Sequence, residues 1–180
     1  MQGLLLDIDG VLYVGDEVVS GAAEAVTWLH KEGLPHLFVT NTTSRPRSSI
    51  VAKLASLGMA VDESDVLTPA LAAAEWLRSR APGRPALFVH ETTAAELADF
   101  EPLAADAQDG ASAVVVGDLG DRWDFATLNR AFRLLMSADR PPLVALGMTR
   151  YWRAQDGLRL DTGPYVRALE YATGATAVVL

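Results

Sequence analysis

Short apolar runs alternate along the chain with longer stretches in which apolar residues recur at helical spacing. The runs cover residues 3–6, 34–39, 86–89, 113–116, 143–146 and 175–180. Each is of strand length and most end beside Gly, Pro, Asp, Thr or His. Unbroken apolar runs suit strands buried on both faces, as in a parallel sheet. Between them, 22–31 places Ala22, Ala25, Val26 and Leu29 on one helical face and stops short of Gly33, a residue suited to the left-handed position after a helix. Residues 49–57 repeat the pattern with Ile50, Val51, Leu54 and Leu57 before Gly58. At 68–80, Thr68 stands as an N-cap and Pro69 as the first helical residue. A stripe of Phe125, Leu128, Ala131, Phe132 and Leu135 predicts a helix over 124–138, and another runs over 164–171 toward Gly174. Strand and helix in alternation predict an α/β fold.

Turn formers cluster at 81–85 (Ala-Pro-Gly-Arg-Pro) and again at 161–164 (Asp-Thr-Gly-Pro). The first cluster separates residues 1–80 from the rest. At 180 residues the chain has room for one domain, or for one domain with a modest insertion. Half the residues are apolar, ample for a packed core. Fifteen basic against 23 acidic side chains leave a net charge of −8, which argues against a nucleic-acid partner. The absence of cysteine excludes disulfides, zinc–thiolate sites and a cysteine nucleophile, and suits the cytoplasm. Asp7 and Asp9 break the first apolar run, so it does not read as a signal peptide, and no run approaches the ~20 residues of a membrane span.

The main chemical signal is Leu4-Leu5-Leu6-Asp7-Ile8-Asp9-Gly10-Val11. An apolar strand delivers two carboxylates, two residues apart, onto a glycine turn. Residues i and i+2 share a face of a strand. In open parallel sheets ligands bind beyond the carboxyl ends of the strands, which is where these acids fall. Two close carboxylates divide naturally into a nucleophile or metal ligand and a proton carrier. The plainer alternative is a strand ending in a solvated Asp-Gly turn.

A second apolar strand, Leu37-Phe38-Val39, ends in Thr40-Asn41-Thr42-Thr43-Ser44. Two readings stand side by side. Hydroxyls, an amide and the N–H groups of a following helix would cradle a phosphate, or the same residues would simply cap that helix. Arg45 and Arg47 then read equally as phosphate contacts or as surface charges.

Asp7-Ile8-Asp9-Gly10-Val11 and Thr40-Asn41-Thr42-Thr43 resemble motifs I and II of the haloacid dehalogenase (HAD) superfamily of phosphatases. Residues 147–152 (Gly-Met-Thr-Arg-Tyr-Trp) and 163–174 (Gly-Pro-Tyr-Val-Arg-Ala-Leu-Glu-Tyr-Ala-Thr-Gly) are similar to segments of one capped branch, that of the phospholysine phosphohistidine inorganic pyrophosphate phosphatases. The resemblance implies a HAD-like doubly wound parallel sheet with an inserted α/β cap: core over 1–80, cap over 81–174, and a returning core strand beginning at 175–180. It implies that Asp7 is a nucleophile forming an aspartyl-phosphate and that Asp9 is the general acid and base. It also implies that Thr40, Asn41 and Thr42 bind the substrate, and that Mg²⁺ sits between the Asp7 carboxylate and the Asp9 main-chain carbonyl. The substrate would be a small phosphate ester, phosphoramide or pyrophosphate.

The family pattern has two further parts, a lysine in Gly-Lys-Pro and a distal acidic pair. Lys31 and Lys53 are the only lysines, and the chain stops about where Gly-Lys-Pro would begin. Residues 114–121 (Val-Val-Val-Gly-Asp-Leu-Gly-Asp) imitate the acidic motif, but their acids are spaced three and six apart where four or five is usual, and they fall where the branch has a cap strand. The expectation is therefore an incomplete core with weak turnover. The strand bearing Asp7 would have a free apolar edge, inviting a homodimer. The alternatives are a non-catalytic protein of the same fold that binds a phosphorylated ligand or partner, and a receiver-like phospho-acceptor domain. His30, His36 and His90 are isolated in sequence, show no metal spacing, and read as structural or solvated. Trp28, Trp76, Trp123 and Trp152 read as packing residues, and residues 150–153 (Arg-Tyr-Trp-Arg) as cap surface or substrate contact.

Overall fold

The computed structural model describes residues 3–154 and 156–180. The chain forms two compact units, Met1–Thr68 and Pro69–Leu180.

In the first unit, β1 (Leu4–Asp7) leads through a hairpin of β2 (Tyr13–Val14) and β3 (Glu17–Val18) to α1 (Ala22–Lys31). Then follow β4 (His36–Val39), α2 (Arg47–Ser56), a 3-10 turn at Glu63–Asp65 and β5 (Val66–Leu67). The strands form a parallel sheet in the order β1-β4-β5. Its core gathers Ile8, Leu12, Val26, Phe38, Ile50, Leu54 and Met59. Helix α1 has the bounds its apolar spacing predicts, and Ala22, Val26 and Leu29 are buried; Ala25, expected on that face, is exposed. Helix α2 begins two residues earlier than its pattern suggests, with Pro46 at the N-cap. Proline fixes the extended entry, because the residue before it avoids the helical region.

The second unit opens with α3 (Pro69–Arg80), β6 (Ala86–Phe88), α4 (Glu91–Glu96), β7 (Val114–Val116) and α5 (Phe125–Leu135). It continues with β8 (Leu143–Ala145), β9 (Tyr151–Ala154), β10 (Gly157–Leu160), α6 (Thr162–Thr173) and β11 (Val178–Val179). Its main sheet is parallel in the order β11-β8-β7-β6, while β9 and β10 form a separate antiparallel hairpin. One face of the main sheet, with Val114, Val116, Leu143 and Ala145, packs on Ala131, Leu134 and Leu135 of α5 and Val166 and Leu169 of α6. The other, with Val115 and Val144, packs on Ala73, Ala74 and Leu77 of α3. Coverage on both faces is why these strands are apolar at every position.

That packing groups α3 with the second unit, whereas the expected boundary lay after Arg80. Residues 175–180, expected to begin a returning core strand, place β11 beside β8, where Val178 pairs with Val144 and Val179 with Ala145. Asp124 caps α5, its carboxylate accepting the Thr127 N–H at 2.7 Å; that bond holds the carboxyl below its ordinary range. The buried stripe of α5 is Ala131, Leu134 and Leu135, and Phe125, expected on it, is 82% exposed because it occupies the first position of the helix.

Candidate active site

Ile8 is fully buried and anchors the end of β1, while Asp7 and Asp9 on either side of it are exposed. The chain then reverses within one turn. Leu12 N–H donates to the Ile8 carbonyl at 2.9 Å, and Gly10 N–H to the Tyr13 carbonyl at 2.8 Å. Gly10 has φ of 83°, a left-handed conformation that a side chain would strain. One Asp7 oxygen, Oδ1, accepts the Ile8 N–H at 2.8 Å.

Asp7 is paired with Val39 in the parallel register of β1 and β4, so Thr40 follows at the same sheet edge. Thr40 is 4% exposed, and its N–H donates to the Leu67 carbonyl at 3.2 Å. Its Oγ1 accepts the Thr42 N–H at 3.1 Å, which turns the loop. Asn41 is exposed and Thr42 half-buried. The residues singled out in the sequence thus lie at the carboxyl ends of adjacent strands. The 40–44 cluster does not open the following helix directly. Helix α2 begins only at Arg47, so its first N–H groups do not follow Thr43 directly, and its N-cap Pro46 has no capping side chain. Arg47 ties α2 to the 3-10 turn by donating to the Glu63 carbonyl at 3.3 Å.

Tyr13 was not apparent from the sequence as a site residue. Gly15-Asp16 between Tyr13-Val14 and Glu17-Val18 is the turn signal that would have revealed the hairpin carrying it. Tyr13 pairs with Asp9 in an isolated β-bridge, and its phenol feels the Asp9 charge. Burial, followed by the neighbouring Asp9 carboxylate, pushes the phenol up to about 12, against an opposing pull from Arg45. Lys53 lies 4.3 Å from the centre of the Tyr13 ring, donates to the Gly15 carbonyl at 2.7 Å and pairs with Asp16 at 3.2 Å. A buried aromatic and an engaged cation therefore brace the hairpin beside Asp9. The donors that Asp7 and Asp9 offer are all oxygens, which suits a hard cation such as Mg²⁺.

The acidic stretch at 114–121 belongs to the second unit, where β7 lies in the main sheet. Asp118 Oδ1 accepts the Gly120 N–H at 2.8 Å, closing a local turn. In the same unit Asp118, Asp121, Trp123, Trp152, Arg159 and Tyr165 line an open cavity of about 300 Å³. Trp123 stacks between Phe88 and Tyr165, with ring centres 6.1 and 4.7 Å away, so it is a packing residue. Trp76 packs on a core, whereas Trp28 and Trp152 are largely exposed. Arg159 holds Asp156 with two hydrogen bonds of 2.6 and 3.1 Å, and the Asp156 carboxyl stays below its ordinary range for that reason.

The three histidines divide. His90 caps α4, its Nδ1 lying 3.4 Å from the Thr92 N–H. His30 and His36, isolated in sequence, come together with Asp65, with ligand atoms all within 4.8 Å of one another.

Residues 4–101 match the family model described as haloacid dehalogenase-like hydrolase. The whole chain aligns with human phospholysine phosphohistidine inorganic pyrophosphate phosphatase at 36% identity, and with human haloacid dehalogenase-like hydrolase domain-containing protein 2 at 36%. It spans 66% of the length of each. Among solved structures, a p-nitrophenyl phosphatase from Archaeoglobus fulgidus superposes with a TM-score of 0.83 at 27% identity, over 99% of this chain and 67% of that one.

Proposed function

The chain belongs to the haloacid dehalogenase-like hydrolases, and from that premise we propose that its first unit carries the nucleophile half of a phosphohydrolase site. The supporting observation is the pairing of Asp7 with Val39, which brings Asp7 and the Thr40–Thr42 turn to the same end of the sheet.

In this reading Asp7 attacks the phosphorus of a small phosphate ester, phosphoramide or pyrophosphate. The bond from phosphorus to the leaving group breaks as Asp9 gives that group a proton, leaving an aspartyl-phosphate. Asp9 then takes a proton from water, whose oxygen attacks phosphorus and returns Asp7 as a carboxylate with inorganic phosphate. Oδ1 of Asp7 is held by the Ile8 N–H, so Oδ2 is the attacking oxygen. Thr40 and Asn41 hold phosphoryl oxygens, and Thr42 fixes the turn between them. Tyr13 stands beside Asp9. The Asp7 carboxylate and the Asp9 carbonyl would hold Mg²⁺, which when bound would supply positive charge against the phosphoryl oxygens.

A second reading, binding of a phosphoryl group without turnover, draws support from the lysines. Lys53 is engaged by Gly15 and Asp16, and Lys31 lies exposed in the last turn of α1, so neither supplies a free cation beside Asp7. Both readings need Asp7. Beryllofluoride with Mg²⁺, followed by ¹⁹F NMR, is expected to give a bound signal with the wild-type chain and none with Asp7→Asn. A bound signal that persists in Asp7→Asn overturns both readings. Release of phosphate from 4-nitrophenyl phosphate or pyrophosphate by the same preparations separates hydrolysis from binding.

The first unit also presents a self-association edge in this reading. β1 ends its sheet and Leu5 is 73% exposed, features that favour a homodimer.

A further inference from the structure

At the end of the first unit's sheet opposite to Asp7, three ligand-bearing side chains from three separate elements converge. His30 comes from the last turn of α1, His36 opens β4, and Asp65 closes the 3-10 turn that leads into β5. One ligand atom from each lies within 4.8 Å of the other two. Thr40 follows β4 at its far end, so four residues of strand, about 13 Å at 3.3 Å per residue, separate this cluster from the phosphoryl site.

His36 carries the argument. Its Nδ1 lies 2.7 Å from the Leu34 carbonyl, and a carbonyl only accepts, so Nδ1 bears the proton. The other nitrogen, Nε2, then presents a lone pair. It is buried and has no hydrogen-bond partner among the described residues. Edge-on packing against Phe38, with ring centres 5.2 Å apart, fixes the plane of the ring. A histidine whose Nδ1–H is tied to a main-chain carbonyl while Nε2 stands free is oriented as metal-bound histidines are. The His30 ring is 5.1 Å from that of His36, and Asp65 adds an anionic oxygen.

We propose that His30, His36 and Asp65 form a second metal site, taking Zn²⁺ or a transition-metal ion of similar preference, distinct from the Mg²⁺ position at Asp7. Two imidazoles and a carboxylate are a zinc-type donor set, whereas Mg²⁺ prefers oxygen alone. Zinc bonds of 2.0–2.1 Å in tetrahedral array place ligand atoms about 3.3 Å apart. Exposed His30 closes the remaining distance by side-chain rotation, and water completes the fourth position. The ion joins α1, β4 and the turn before β5.

The test uses the 180-residue chain, with Asp7→Asn as a control for the other site. Co²⁺ serves as a spectroscopic stand-in and Zn²⁺ as the competing ion. One equivalent of Co²⁺ is expected to give the intense visible bands of a low-coordinate nitrogen–oxygen site, retained in Asp7→Asn and displaced by Zn²⁺. His36→Gln should abolish the bands, and His30→Gln and Asp65→Asn should each weaken binding at least about tenfold. Saturating Zn²⁺ should raise the thermal midpoint by about 5 °C or more in the wild-type chain but not in His36→Gln. His30 is exposed, so its variant keeps the fold and decides the matter should His36→Gln fail to fold. Absent bands, binding unaffected by His30→Gln, or binding lost only in Asp7→Asn would each overturn the site.

Discussion

Tyr13 meets Asp9, four residues earlier, in an isolated β-bridge across a turn that buries the phenol beside the Asp9 charge. The meeting depends on the hairpin of β2 and β3 folding back at the glycine turn, so a side chain with no catalytic signature in the sequence comes to stand beside one that has it.

Burial of the Tyr13 phenol, beside the Asp9 charge, makes stability fall at alkaline pH. Tyr13 is raised from 10.0 to about 12, so the folded chain keeps its proton where the unfolded chain loses it. Below pH 10.0 both states are protonated and the contribution is complete; as pH rises toward 12 it is lost. The loss is on the order of 2 kcal/mol. Urea midpoints across that range should decline in the wild-type chain and decline less in Tyr13→Phe, with phenolate absorbance recording one late-titrating tyrosine that the variant lacks.

Asp7→Asn should leave the fold intact, because the side chain is exposed and its amide oxygen still accepts the Ile8 N–H. Phosphate release by the wild-type 180-residue chain should be slow, with Lys53 engaged by Gly15 and Asp16 and Lys31 at the end of α1, and release by the variant should fall to background. Circular dichroism paired with a malachite-green assay checks the two halves of this expectation.

Thr40→Val keeps the shape of a buried residue but removes the oxygen that accepts the Thr42 N–H. The expected cost is about 1 kcal/mol in urea unfolding. Affinity for inorganic phosphate, measured by calorimetry, should drop about tenfold as the turn loosens.

Gly163 shows why its motif begins with glycine. Its N–H donates to the Thr149 carbonyl at 3.0 Å, and a Cβ there would meet the Met148 and Thr149 carbonyl oxygens at 2.6 and 2.8 Å. Both obstacles are backbone, so nothing flexible yields. Gly163→Ala should destabilise the second unit by about 3 kcal/mol, read as a lowered unfolding midpoint.

Leu5→Lys places a charge on the outer strand of the first sheet. If that edge carries the homodimer, the variant should sediment as a monomer at concentrations where the wild-type chain associates. Unchanged association in Leu5→Lys would remove the edge from consideration.

Local signals were read well where one element carried them. The spacing of Ala22, Val26 and Leu29 marks α1, and the Leu-Leu-Leu-Asp run marks β1 and the acid at its end. The sequence also identified Asp7, Asp9 and Thr40 as candidates, and strand pairing brings Asp7 and Thr40 to one edge. It failed for the start of α2, where Pro46 rather than the Thr and Ser residues decides the helix, and for Phe125, whose periodic position lies in a first turn left open to solvent.

What the sequence determined alone were properties that act over a few residues: apolar period, glycine turns, and the order of acid and hydroxyl at strand ends. Only the tertiary structure decided that α3 packs with the second sheet, that Tyr13 reaches Asp9, and that His30, His36 and Asp65 meet. The physical reason is that periodicity reports which face of an element is apolar, whereas a meeting of residues 30 and 65 follows from loop closure and strand register, which many sequence spacings satisfy equally.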